Sequence, residues 1–143
     1  MAISNAARSD TGYNDAGKLI FRVTFGVLIL LHGIAKITGG LGFIAAALEK
    51  AGVSEGFGYL AYIGEVIAPL FLILGAWSRV AALVIAINMI VAVMLAHTGQ
   101  LFSLAPSGGY ELELQAIYLF GAVSLALMGA GSYSLAGRHG HWN

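Results

Sequence analysis

The sequence predicts an all-α membrane protein, a bundle of four transmembrane helices with a short interfacial helix between spans 1 and 2. Three observations carry this. Hydrophobic residues make up 59% of the chain and charged residues 10%, with a mean hydropathy of +0.85, whereas about a quarter of the residues in soluble domains are charged. The apolar residues fall into four runs, about 18–37, 58–76, 80–98 and 111–130, each near the roughly 20 residues that cross a bilayer. Turn-forming residues separate them: Gly39-Gly40, Ser78-Arg79 and Pro106-Ser107-Gly108-Gly109.

Within 143 residues four spans leave little else. One membrane domain over 18–136 is expected between a flexible cytoplasmic tail, 1–17, and a polar tail, 137–143, that carries Arg138, His139, His141 and Trp142. The first span has no A-x-A-like site after it and reads as a retained signal anchor. Seven basic residues balance seven acidic ones, so no nucleic-acid surface is indicated. The absence of cysteine excludes disulfides, thiol chemistry, thiolate-bound iron–sulfur clusters and covalent c-type haem. A redox role would need a bound, non-thiolate cofactor or a partner subunit.

Between the first two runs, Phe43 to Gly52 is amphipathic, too short and too charged to span, and ends at a glycine suited to a helix C-cap. It is expected to lie on the membrane surface. The second run starts with Tyr59 and Tyr62 and is followed by Trp77, as interfacial aromatics would be. Four spans put Arg8, Lys18, Arg22, Arg79 and Arg138 on one side and Lys36 and Lys50 on the other. This bias favours both termini in the cytoplasm.

Helix polarity then gathers the polar residues. His32 and Lys36 sit one turn apart near the end of span 1, on a stripe that runs back through Ile29 and Phe25 to Arg22. Glu65 lies near the start of span 2, His97 at the end of span 3, and Glu111 at the start of span 4. All five ionisable groups occupy one layer near the outer leaflet. On span 4, Glu111, Gln115, Tyr118 and Ala122 form one stripe, and Glu113 points about 200° away. Glu111 is therefore expected inward and Glu113 among the headgroups. Pro69 lies four residues after Glu65 and deprives its carbonyl of the usual amide donor, so a bend is expected there. Asn88 reads as an interhelical hydrogen bond apart from this layer, Arg22 as an inner-leaflet anchor, and His139 with His141 as a solvated pair able to pick up metal adventitiously.

The bland reading of the layer is structural, with His–Glu and Lys–Glu pairs fixing helix register. Three sharper readings compete with it. Glu65, His32 and His97 could handle protons in a quinone pocket formed with Lys36, Glu111 and Gln115, because imidazole and carboxylate groups can bond a quinone carbonyl and accept the protons of a quinol. His32 and His97 could ligate a haem, but two lone histidines are a weak signal. A His/Glu/Lys layer could also belong to a proton or small-solute relay, although one layer is only part of a path. No set of residues points to a metal site.

These residues resemble the DoxX family of small bacterial membrane proteins. The resemblance rests on Arg22, His32-Gly33-Ile34-Ala35-Lys36, Phe43 through Gly52, Glu65, Leu72-Ile73-Leu74-Gly75 with Arg79, His97, Tyr110-Glu111, and Gly129-Ala130-Gly131-Ser132-Tyr133-Ser134-Leu135. It covers about 18–136. Ala130 and Ala136 stand where the family pattern has a proline and an aspartate, which bears on how the last helix is capped. The resemblance implies a four-helix membrane protein linked to quinone-dependent redox. The expected function is a quinone/quinol-interacting subunit of a membrane oxidoreductase, with a quinone as cofactor and a redox subunit or a second copy of the chain as partner. The alternatives are a non-catalytic subunit that stabilises a respiratory or oxidative-stress complex, and a small-solute or proton transporter.

Overall fold

The computed structural model describes residues 2–137, Gly140, Trp142 and Asn143, with side chains from Gly12 onward. His139 and His141 lie outside the described residues. Helix α1 spans Ala2–Gly39, α2 Gly42–Lys50, α3 Glu55–Leu74, α4 Ser78–Ala96 and α5 Glu113–Met128. Helices α1, α3 and α4 are long and apolar enough to cross a membrane, and α5 is a shorter apolar helix of 16 residues. Helix α1 packs on α3 and α5, and α4 packs on the same two, so the four close into a ring with α2 resting near the end of α4.

The core fills this ring at helical spacing. Phe25 and Ile29 of α1, Ala68 and Leu72 of α3, Ala82, Ile85 and Met89 of α4, and Tyr118, Ala122 and Leu125 of α5 are all buried. Leu28, Leu31, Ile34 and Ile37 of α1 face outward and stay exposed, as a lipid-facing surface requires. Small residues let backbones approach where the helices cross. A Cβ on Gly33 would run into the Glu65 carbonyl and come within 2.6 Å of Val66 Cγ2.

Several boundaries differ from the sequence expectation, each for a local reason. Residues from Ala2 onward are helical rather than a flexible tail. The alanines there favour helix, and Asp15 is buried, accepting a 2.5 Å hydrogen bond from Ser132 Oγ. The turn expected at Ser78-Arg79 lies at Gly75–Trp77, where Gly75 (φ 72°) and Trp77 (φ 50°) are left-handed, and Ser78 already opens α4. Helix α5 begins at Glu113, because a turn around Pro106–Gly109, closed by Ala105 N–H to the Gly109 carbonyl at 2.8 Å and a Leu104–Tyr110 bridge, carries the chain in.

Arg22 is not a snorkelling anchor. It is 1% exposed, and its guanidinium donates to the Leu72, Ile73 and Tyr133 carbonyls, each at 2.7 Å. Two of these are carbonyls of the last turn of α3, where a helix end runs short of amide donors; the Gly75 amide also reaches Leu72 at 3.2 Å. Arg79 does the same for α5 through Ala126 and Leu127, while Lys18 reaches the Met128 carbonyl at 3.0 Å. The segment after α5 folds back over this end. Leu135 and Ala136 donate their amides to the Leu74 and Gly75 carbonyls, and the Asn143 side chain bonds Ser78 and Ser134.

Two substitutions test this account. Arg22→Met takes the guanidinium from three carbonyls, of which Leu72 keeps the Gly75 amide, and is expected to lower stability in detergent by about 3 kcal/mol, since each unsatisfied buried acceptor costs roughly 1–3 kcal/mol. Arg22→Lys should recover only part, because an ammonium lacks the guanidinium fork; full recovery would show that the fork is dispensable. Gly33→Ala should cost about 1–3 kcal/mol through overpacking. Gly17→Ala, in open space on the same helix, should be neutral or stabilising by up to about 1 kcal/mol.

Candidate functional site

At the end of the bundle away from Arg22, α2 and the first turns of α3 roof a cavity of about 640 Å³, within the range of small-molecule sites. Its wall is mostly apolar, with Ile44, Leu48, Phe57, Val84, Leu95 and Leu114 among its residues. Seven polar side chains interrupt that wall: His32, Lys36, Glu65, Asn88, His97, Gln115 and Tyr118.

Glu65 is the polar centre. Proline at 69 cannot donate to the Glu65 carbonyl, and Ile63–Ile67 form a π-helical turn in which the Ala68 amide reaches back to the Ile63 carbonyl. The expected irregularity is therefore a π-turn, of the kind that often marks functional sites. It leaves the Glu65 carbonyl against Gly33 and the carboxylate buried at 4% exposure.

Lys36 Nζ forms an ion pair with Glu65 Oε1. Asn88 Nδ2 donates to the same oxygen at 3.2 Å. Oε2 is fully buried and has no hydrogen-bond partner among the described residues. The three residues come from α1, α3 and α4. Gly64 makes room for the third, since a Cβ there would stand 2.5 Å from Asn88 Cγ. The Tyr62 hydroxyl donates to the Lys36 carbonyl at 3.2 Å and steadies α1 against α3.

His32 opens onto the cavity and meets Tyr118 edge to face, with ring centroids 5.8 Å apart and planes at 82°. Tyr118 in turn meets Phe25 at 5.6 Å. His97 stands at the C-terminus of α4, where its Nδ1 lies 2.6 Å from Gln100 Oε1. Both histidines line the cavity, and Gln115 does so from α5.

Glu111 is placed differently from the inward position expected of it. It precedes α5 in a turn, its side chain is exposed, and it is not part of the cavity wall. A helical stripe cannot be extended through residues that are not helical. Asn88, read as separate from the polar layer, belongs to it. It makes the interhelical hydrogen bond expected of it, but its acceptor is Glu65 itself. The sequence did carry one usable signal, namely a lone amide in an apolar helix that passes the level of Glu65. Among the described residues, no three His, Asp or Glu side chains gather closely enough to hold a metal ion.

Searches of curated proteins and of solved structures find no match to this chain. The family model for DoxX matches residues 17–98, a stretch that contains Arg22, His32, Lys36, Glu65, Arg79, Asn88 and His97 and amounts to more than half of the chain. This chain belongs to the DoxX family, with the Lys36–Glu65–Asn88 layer and both cavity histidines, His32 and His97, inside the matched part.

Proposed function

We propose that the protein is a four-span protein of the bacterial inner membrane that takes a quinone or quinol head group into the cavity beneath α2, as a subunit of a membrane oxidoreductase. The observation that carries this reading is the composition of the cavity, an apolar chamber open to hydrophobic helix faces with one buried carboxylate and its donors at the polar end. An amphiphile with a polar ring and an apolar chain matches that division. A quinone supplies a two-electron, two-proton couple when bound, with the electrons exchanged through a partner subunit. The chain's residues hold the ring and govern its protons. Lys36 and Asn88 orient the Glu65 carboxyl group, Glu65 handles protons with His32 and His97, and Tyr118 fixes the tilt of the His32 ring. Apolar side chains from α2 and α3 keep bulk water from the carboxylate.

Helix α5 serves as the fourth span in this reading. Its 16 residues measure about 24 Å at 1.5 Å per residue, and the bilayer can thin to meet a short helix. Helix α2 lies at the interface, with Ile44 and Leu48 toward the cavity and Glu49 and Lys50 exposed. The second reading, a stabilising subunit without catalysis, is favoured by the way Lys36, Glu65 and Asn88 tie three helices together.

Topology and role can be tested separately. With both termini cytoplasmic, cysteines introduced at the exposed positions Ser54 and Ser107 should react with an impermeant thiol reagent on spheroplasts, and one at exposed Ala136 should not. Ser78 is unsuitable as a reporter because it is 1% exposed. Labelling at Ala136 alone would place the cavity at the cytoplasmic face.

For the role, Glu65→Gln is expected to destabilise the bundle by about 3 to 5 kcal/mol, the scale for breaking a buried pair from one side. Adding Lys36→Met should restore folding. If Glu65 handles protons, quinone-dependent electron transfer by the membrane complex that carries the folded double variant should fall about 100-fold, the usual scale for losing a general base. Unchanged turnover in that variant would make the layer helix glue and favour the stabilising subunit.

A further inference from the structure

The loop that joins α4 to α5 carries apolar side chains that no part of the described chain covers. Leu101, Phe102 and Leu104 are 39%, 100% and 72% exposed, and Phe102 is the most exposed large apolar side chain among the described residues. All three precede the turn at 106–109, on the limb that leaves α4. The returning limb brings Tyr110 beside them, its hydroxyl donating to the Leu101 carbonyl at 2.9 Å. In water these residues would form a bare apolar patch.

The way the loop is built says what covers them. Helix α4 has 19 residues and α5 has 16. Arg79, in the first turn of α4, bonds the Ala126 and Leu127 carbonyls in the last turn of α5, so the two helices are level at the Arg22 end. At the other end α5 therefore starts about 4.5 Å short of α4, at 1.5 Å per residue, and loop residues must cover that depth. Leu112, just before α5, is already buried. The loop also supplies its own backbone partners: the amides of Ser103, Ala105, Gly108 and Glu111 donate to the Gln100, Gly109, Ala105 and Ser103 carbonyls at 2.8–3.1 Å. A segment that enters the edge of a bilayer needs such internal pairing. At the same end of the bundle, Phe43 on α2 is 71% exposed, so apolar rings project at this level from two separate elements.

We propose that the loop over 97–112 is a membrane anchor, with Leu101, Phe102 and Leu104 set among the lipid headgroups and upper acyl chains. Tyr110 lies at headgroup level, as interfacial tyrosines do, and the exposed Ser107-Gly108 tip reaches water. Lipid rather than a soluble partner is the occupant, because the apolar side chains sit at the base of the loop beside the spans and the polar tip is what such a partner would meet first. The anchor also bears on the cavity. Gln100, at the root of the loop, holds His97 through the 2.6 Å contact of its Oε1 with Nδ1, so fixing the root in the bilayer keeps His97 on the cavity wall.

The chain has no cysteine, so a single nitroxide can be placed at will on the full-length protein in liposomes. Labels at Phe102→Cys and Leu104→Cys are compared with one at Ser107→Cys and one at Ile90→Cys, a position exposed on the apolar face of α4. Power saturation reads the collision rate of each label with oxygen, which concentrates in lipid, and with a nickel chelate, which stays in water. The oxygen-to-nickel ratio at 102 and 104 should stand nearer that of Ile90 than that of Ser107. A ratio equal to that of Ser107 would put the limb in water and overturn the anchor. Low collision rates with both reagents would mean that protein covers it, such as a second copy of the chain, and would overturn lipid as the occupant. In Phe102→Ser, Leu104→Cys the ratio at 104 should fall toward the Ser107 value; an unchanged ratio would overturn the anchoring role of Phe102.

Discussion

Keeping a carboxylate inside an apolar bundle requires that cations and amides be brought to it from other helices, and much of this structure can be understood from that requirement. Lys36 comes from α1 and Asn88 from α4, so Glu65 sets the relative height of three helices. Glycines allow it. Gly33 lets α1 touch the backbone of the π-turn, and Gly64 admits the Asn88 side chain. Pro69 contributes by denying the Glu65 carbonyl its ordinary partner and loosening the helix where the acid must turn inward.

The two ends of the bundle treat charge in opposite ways. At the Arg22 end, cations are spent on backbone. Arg22 closes α3, while Arg79 and Lys18 close α5, and each positive group meets the negative end of a helix dipole. These bonds leave little there that could bind a ligand. At the Glu65 end the charged groups answer one another incompletely, and α2 encloses space rather than filling it. Rigidity is concentrated at one end and adaptable chemistry at the other.

Much of this plan was legible in the sequence. Apolar run lengths indicated the helices, and helix polarity alone put Lys36 and Glu65 at one level. Pro69 announced the distortion beside the acid. Depth was thus easier to read than direction. The inward position of Glu111 extends a helical stripe past the true start of α5, and rotation about an axis can be counted only while the chain stays helical. Asn88 differs: a lone amide in an apolar helix signals an interhelical bond but does not name its partner, and only packing shows that this is Glu65. Arg22 escaped for another reason. A lone arginine near a membrane edge has the same sequence appearance whether it reaches for water or for carbonyls from residues 72, 73 and 133, and only the packed chain distinguishes the two.

The clamp made by Arg22 also bears on how the protein is made. Its acceptors emerge long after it does, since Tyr133 lies 111 residues further along the chain. At roughly 5–20 residues per second of synthesis, the guanidinium waits on the order of 10 s in a growing membrane chain before its last carbonyl exists. The Leu72 and Ile73 carbonyls, 50 and 51 residues on, are made first. The half of the clamp that joins α1 to α3 can therefore close before α5 exists, and the Tyr133 bond adds the segment after α5 last.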